Sequence, residues 1–372
     1  MISELKVASI GDIHLGHPNT TTKEIIANLN LAFPDNAETG ELDMIVFEGD
    51  VFDRLLSLPD DNAFAIKSWI NSFLRMCKKR DIVVRVLEGT PSHDWGQSRL
   101  FVSVNESAEI GVDLKYVNDL RIEYIQRFDM TVLYIPDEWE AEPDETWKQV
   151  QRLLVENGID KVDIAVMHGS FEYQLPAHVK VPHHSSERYL SIVRHFIFIG
   201  HIHRHTVFDR ILAAGSFDRL GQNEEEPKGH LRVVIRNDGR NRMTFVENKT
   251  AKIYKTIKCS GLTIDEALEK IDADCKDLPS GSRIRVEAET ADAVVSGIDV
   301  LRMKYPLLIW DTKLSTKAVS GNDMLVDMRE RYSSITIDRT NIAKLLMERI
   351  SRETDDPVLL KRCSELIEEV AL

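Results

Sequence analysis

Five short apolar runs in this chain each end on residue types that bind metal ions. They are Asp12 and His14 in SIGDIHLGH, Asp50 in VFEGDVFD, His93 in LEGTPSHDW, His168 in VMHGS, and His201 with His203 in FIGHIHRH. The preceding segments (LKVASI, DMIVFE, DIVVRVLE, VDIAVM, HFIFI) are continuous in apolar character and rich in β-branched residues, the pattern of strands buried on both faces. Helical segments alternate with them, so the pattern predicts an α/β fold in which the strand ends converge at one sheet edge. Mixed carboxylates and imidazoles suit borderline divalent ions. One carboxylate shared by two ions roughly 3.5 to 4 Å apart would place both charges on a single phosphate.

This order of motifs resembles the calcineurin-like metallophosphoesterases, and within them the SbcD-type nucleases of DNA double-strand-break repair. Three features carry the narrower resemblance: DIHLGH in place of a plain DxH, GDVFD after the second strand, and AAGSFDRLGQNEEEPKGHLRVVI. The last is similar to the family's Gly-Ser, Glu-rich, Lys-Gly segment that follows GHIH. The resemblance spans residues 5 to 248 and implies a metallophosphoesterase two-sheet sandwich flanked by helices. It implies a metal-dependent DNA nuclease, a double-strand exonuclease and single-strand endonuclease acting in DNA end processing, recombination and repair.

By the same resemblance Asp12, His14, Asp50 and His203 would hold a first ion, and Asp50, His168 and His201 a second, with Asp50 bridging. Manganese is the implied ion; the ligand types alone would also accept iron, zinc or cobalt. His93 stands where the family has its substrate-facing histidine, to stabilise the transition state or protonate the leaving oxygen, with Asp94 orienting its ring. Arg204, Arg219 and Lys228 are candidate substrate contacts. The chain departs from the family where an Asn binds the second ion: aligned on His93-Asp94, that place is Ser92. Ser92 itself, a water held by it, or Thr90 would then serve. The first two are favoured, and a looser second site is expected. His17, His183, His184 and His205 match no motif and read as packing or surface residues.

Charge narrows the partners. The chain has 47 basic against 61 acidic residues, a net charge of −14. It lacks the positive surplus that supplies nonspecific DNA affinity, so a second protein is expected to carry part of the DNA surface. The resemblance makes that partner an SMC-like ATPase of the SbcC type. No GxxxxGK[ST] loop is present, so ATP, if it regulates the activity, arrives with another subunit. Ser170 and Ser216 lack the nucleophile-elbow frame of a serine hydrolase. No apolar run approaches the roughly 20 residues of a membrane span, and the start has no signal-type core, which reads as a cytoplasmic protein without a membrane partner. The four cysteines are scattered and read as reduced packing residues. Two rival readings share the ligands: a phosphatase or cyclic-nucleotide phosphodiesterase of the same superfamily, and a weakly active scaffold subunit.

The organisation predicted from these patterns has four parts. Residues 1–250 form the nuclease domain, with helices at Asp61–Arg80 and Asp144–Asn157. In the first helix Trp69 and Phe73 exceed what one core-facing stripe needs, and together with the resemblance this predicts a homodimer seam. The runs TVFDRILAAGSF, LRVVIRNDG and RMTFVEN follow without helices and predict a second, more antiparallel sheet. After Lys249 the grammar restarts as βαβαβ over 251–315, with Thr263 and Glu266 spaced as a capping box. Its position and element order resemble the family's DNA-binding capping domain. Residues 316–334 read as a linker and 335–372 as two short helices, with Leu345, Leu346 and Ile350 on one apolar stripe and Leu359, Leu366 and Ile367 on the other. Helices this short need a surface to bury against, either the body of the protein or, as the resemblance implies, the ATPase.

Overall fold

The computed structural model describes residues 4–56, 61–137, 139–176, 181–289, 293–296, 298–315, 347, 359–364 and 366. The apolar runs form strands β1 (Glu4–Ile10), β2 (Met44–Phe47), β3 (Val83–Leu87) and β4 (Leu114–Val117), then β5 (Arg121–Ile125), β6 (Met130–Ile135), β7 (Ile164–His168) and β8 (Ile197–Gly200). Four more follow: β9 (Thr206–Phe208), β10 (Ile211–Ala213), β11 (Gly229–Arg236) and β12 (Arg242–Glu247). They build two six-stranded sheets, ordered β12-β11-β1-β2-β3-β4 and β5-β6-β7-β8-β10-β9. β1 to β4 run parallel, as do β6, β7 and β8, so the ligand-bearing ends lie on a common side of each sheet.

Continuous apolar runs are explained by what covers each face. Along β2 the side chains alternate between two cores. Ile45 and Phe47 meet the helices Thr22–Ala32, Asp61–Arg80 and Leu100–Ser107. Met44 and Val46 meet Val132, Tyr134, Val166 and Phe198 of the other sheet. A third core lies on the far face of the second sheet, where Val150 and Leu154 of the helix Pro143–Glu156 pack on Leu133, Ala165 and Ile197. The result is an α/β sandwich of two mixed sheets flanked by helices.

Two expectations need correction. The strands after residue 205 do not form a sheet of their own. The β9–β10 hairpin extends the second sheet, with β10 parallel to β8, whereas β11 returns to the first sheet antiparallel to β1. β11 is long enough to pair from Arg236 opposite Glu4 to Leu231 opposite Ser9, and so it covers an edge that would otherwise expose the backbone groups of β1. The crossing between sheets carries residues 214–228 over the strand ends, which matters for the site below.

The second correction concerns the helix Asp61–Arg80. Trp69 and Phe73 are no surplus: both are 5% exposed. Trp69 stacks on Phe73 at 5.5 Å between ring centroids and meets Phe101 edge-on at 6.0 Å, while Phe73 meets Phe47 at 5.6 Å. The stripe must cover both the sheet and the helix Leu100–Ser107, so it needs two aromatics, each contributing about 1.5–3 kcal/mol by burial. Phe64, 79% exposed, is the large apolar residue this helix leaves outside.

Among the described residues, those up to Ala288 together with those from Ala293 to Lys313 belong to one compact unit. After β12, β13 (Tyr254–Lys258), the helix Ile264–Cys275 and β14 (Arg283–Glu289) precede the helices Ala293–Ser296 and Ile298–Lys304 and then β15 (Ile309–Ser315). The three strands form a separate sheet ordered β13-β14-β15. It packs on its own core, including Ile257, Ile271, Ile284, Leu301 and Trp310. Both halves of the Thr263–Glu266 capping box are made. The linker 316–334 and Leu345, Leu346, Ile350 and Ile367 lie outside the described residues. Leu359 and Leu366 are described, at 52% and 44% exposed.

Candidate metal centre

The site is assembled from the ends of five strands. Asp12 and His14 follow β1, Asp50 follows β2, residues 89–94 follow β3, His168 ends β7, and His201 and His203 follow β8. Four of these residues sit in the left-handed backbone region: Asp12 at φ 48°, His14 at 54°, Asp50 at 49° and His201 at 100°. For residues with a Cβ this conformation costs of order 1 kcal/mol or more each, and here the strain gathers where side chains are aimed. Two glycines let the strand ends close on each other. A Cβ at Gly89 would collide with the backbone nitrogen and carboxylate of Asp50, and one at Gly49 with the His168 ring and Gly89.

Asp50 Oδ2 lies at the centre of the cluster. It is 2.9 Å from His93 Nδ1, 3.3 Å from His168 Nε2 and 3.9 Å from His14 Nε2. Burial works against its charge, but His168, His93 and His14 outweigh that and hold its carboxyl well below the usual range. Asp12, fully buried, accepts the His201 N–H at 2.9 and 3.1 Å. The ligand-type atoms fall into three groups, Asp12 with His14 and His203, His14 with Asp50 and His93, and Asp50 with His168 and His201, each within 4.8 Å.

The histidines are presented as ligands. His168 is fully buried, and its Nδ1–H donates to the Glu48 carbonyl at 2.6 Å, which turns Nε2 toward Asp50. His203 Nδ1 lies 2.7 Å from Glu224 Oε1, and its Nε2 faces His14 Nε2 at 3.1 Å. His14 Nδ1 is 3.2 Å from Asp53. A ring nitrogen fixed by an acceptor while the other points into a shared space is the usual outer support of a metal-bound imidazole. Ring nitrogens and carboxylate oxygens gathered in this way can hold a cation, and the donor set fits divalent ions. Glu224 is held down to about 2: burial opposes its charge, but His203 and Lys228 outweigh that.

Several expected residues stand elsewhere. Ser92 is exposed on the helical turn Pro91–Asp94, its carbonyl accepting from Trp95 Nε1. Thr90 occupies the site instead: its N–H donates to Asp50 Oδ1 at 2.6 Å, and its hydroxyl lies 3.3 Å from His168 Nε2 and 3.4 Å from His201 Nδ1. Asp94 does not orient His93. Fully buried, it accepts the N–H groups of Asp50, Phe52 and Gly89 and so ties the loop after β3 to the loop after β2. Burial, with Glu88 and Asp50 adding, pushes its carboxyl up to about 7. His93 rests on Asp50, which raises its pKa, and remains half-buried.

The cations follow the same pattern. Lys228, 1% exposed, donates to the His203 carbonyl at 2.7 Å and pairs with Glu226 at 2.7 Å and Glu224 at 3.2 Å. Arg219 donates to the carbonyls of Glu226 and Ala251. Both are bracing residues, because their charges are already satisfied inside the protein. Arg204 is exposed. His205 stacks on Phe245 at 4.3 Å, and His17 Nδ1 accepts the N–H groups of Asn19 and Thr20. Beside His201, a cavity of about 640 Å³ is lined in part by Asp137, Trp139, Gly169 and His184.

Sequence reasoning missed Glu224, Asp137 and Glu48. Asp137 had a readable signal, since it ends the apolar run MTVLYIPD as the ligands end theirs. Glu224 lay within the Glu-rich segment already noted. Glu48 is wholly buried, donated to by Ser9, and pushed up to about 8 by burial; nothing local announces it.

No family model and no curated protein matches this sequence. Among solved structures, one crystal structure matches at 14% identity, covering 65% of this chain and 100% of that one, with a TM-score of 0.38. The crystal structure of TT1561 of Thermus thermophilus matches at 12% identity, over 65% of this chain and 98% of that one, with a TM-score of 0.36. The site's own geometry therefore carries the functional argument.

Proposed function

We propose that this chain is a two-metal phosphodiesterase that cleaves DNA. The observation that supports this most directly is the position of Asp50 Oδ2 within reach of ligand-type nitrogens from both sheets: His14 and His93 on one side, His168 on the other. Asp12, His14, Asp50 and His203 would hold one divalent ion, and Asp50, His168 and His201 the other, with manganese implied by the resemblance. Bound there, such ions would neutralise phosphoryl charge and lower the pKa of water.

The remaining work falls to the chain itself. His93 hydrogen-bonds through Nδ1 to Asp50, which leaves Nε2 for a phosphate oxygen or the leaving group. Asp94 positions the loop that carries it. Glu224 and the Glu48 carbonyl fix the rings of His203 and His168, so little rearrangement is needed when substrate arrives.

With Lys228 and Arg219 satisfied internally, two of the three cations expected beside the site offer little to a DNA backbone. That supports an SMC-like ATPase partner sharing the DNA, and in this reading exposed Leu359 and Leu366 belong to the partner-binding element. A homodimer through the helix Asp61–Arg80 would use Phe64 rather than Trp69 and Phe73. Among the described residues no helix is long and apolar enough to cross a membrane; we place the protein in the cytoplasm.

The test is manganese-dependent cleavage of end-labelled duplex and circular single-stranded DNA, with and without a candidate ATPase. Cleavage of both substrates is expected. Hydrolysis of a small chromogenic phosphodiester with no DNA cleavage would move the protein to the small-substrate branch of the superfamily.

A further inference from the structure

Asp137 is a carboxylate at the centre that none of the roles above uses. It follows β6 by two residues, on the sheet that also supplies His168 and His201. Its side chain is 11% exposed, and Oδ2 lies 3.6 Å from His201 Nδ1 and 3.1 Å from the Thr90 hydroxyl. That hydroxyl lies 3.2 Å from Asp50 Oδ2, 3.3 Å from His168 Nε2 and 3.4 Å from His201 Nδ1.

This arrangement gathers carboxylates and imidazoles from both sheets around one hydroxyl. A threonine hydroxyl has one proton to donate, yet it stands among two carboxylate oxygens and two imidazole nitrogens. Atoms bound at about 2.1 Å to a common ion stand roughly 3.0 to 4.2 Å apart, and Asp137 Oδ2 stands 3.6 Å from His201 Nδ1.

We propose that Asp137 is a ligand of the divalent ion held by Asp50, His168 and His201, adding a second anionic oxygen to that half of the centre. The Thr90 hydroxyl turns aside or joins as a neutral ligand. With four protein ligands, two of them anionic, the half binds its ion no more weakly than the half formed by Asp12, His14, Asp50 and His203. This reverses the expectation of a looser second site drawn from the missing Asn. It also puts hard oxygen donors beside the 640 Å³ cavity, which favours a manganese-class ion over a softer one. The proposal rests on the two-metal reading, and its test is chosen to fail separately.

Calorimetric titration of the full chain with manganese alone gives the answer without any substrate. The wild type should take up two ions of comparable affinity. Asp137→Asn, with an unchanged circular dichroism spectrum and melting curve, should weaken one ion by at least on the order of 10²-fold and leave the other as it was. Thr90→Ala should weaken it much less. Should the Asn variant fail to fold, Asp137→Glu, which displaces the carboxylate by one methylene, should show the same one-ion loss in smaller degree. Two ions of undiminished affinity in the Asp137 variant overturn this assignment and leave the two-metal reading standing. Equal losses in Thr90→Ala and Asp137→Asn also overturn it, since Asp137 would then act only by positioning Thr90. A wild type that binds no ion overturns both readings.

Discussion

The two halves of the proposed metal centre meet at Asp50 but are supported in different ways. In the half with Asp12, His14 and His203, the outer ring nitrogens rest on side-chain carboxylates, Glu224 at 2.7 Å and Asp53 at 3.2 Å. Glu224 arrives on the segment that crosses from one sheet to the other and is itself braced by Ser216 and Lys228. In the half with His168 and His201, the buried ring rests on a main-chain carbonyl, and His201 borders the cavity. A carboxylate support makes an imidazole more basic and can be altered by one substitution. A carbonyl support is fixed by the strand itself. The first half is therefore tuned by its surroundings, while beside the second stand Thr90 and Asp137, both close to His201.

The largest effect should come from the residue the halves share. Asp50→Asn removes the central charge, and because each ion is worth several kcal/mol of transition-state stabilisation, the rate of phosphodiester cleavage should fall by more than about 10⁴. Metal analysis should show that neither ion is retained at stoichiometric level; one ion held as tightly as before would mean that Asp50 serves a single half. His93→Ala should reduce cleavage on the order of 10² to 10⁴ while both ions and DNA binding persist. His93 lies as close to His14 and Asp50 as a ligand would, so loss of an ion in this variant would place it in the first half instead.

Glu224→Gln sharpens the contrast in support. It keeps the size of the side chain but removes the charge behind His203, and should weaken the first-half ion by about 10- to 100-fold with the second unchanged. Manganese titration of the variant reads this directly, and equal weakening of both ions would dissolve the distinction drawn here. The smallest effect belongs to Ser92→Ala: an exposed substitution outside the cluster should leave stability within about 0.5 kcal/mol in thermal melts and leave both affinities unchanged. A clear loss of an ion would return Ser92 to the site in place of Thr90.

Much of this protein was legible in one dimension, for identifiable reasons. A strand buried on both faces must be apolar along its length, so β2, β3, β7 and β8 could be read from composition alone, and a ligand residue directly after such a run has little choice but to sit at the sheet edge. That is why Asp12, His14, Asp50, His168, His201 and His203 could be chosen without coordinates. The Thr263–Glu266 capping box was readable for the same reason: its hydrogen bonds span three residues.

What the tertiary structure alone decided are matters of direction and of distant pairing. Counting back from His93 leads to Ser92, but Pro91 starts a helical turn that carries Ser92 outward and leaves Thr90 against Asp50. Lys228 and Arg219 look like substrate cations until the fold supplies Glu224, Glu226 and the carbonyl of Ala251. The return of β11 to β1 joins segments over two hundred residues apart, and its register is set by the edge it covers. Local sequence determines which residues are able to bind, cap or bury. Which of them meet depends on contacts between strands far apart in the chain, and those contacts exist only once both sheets have closed.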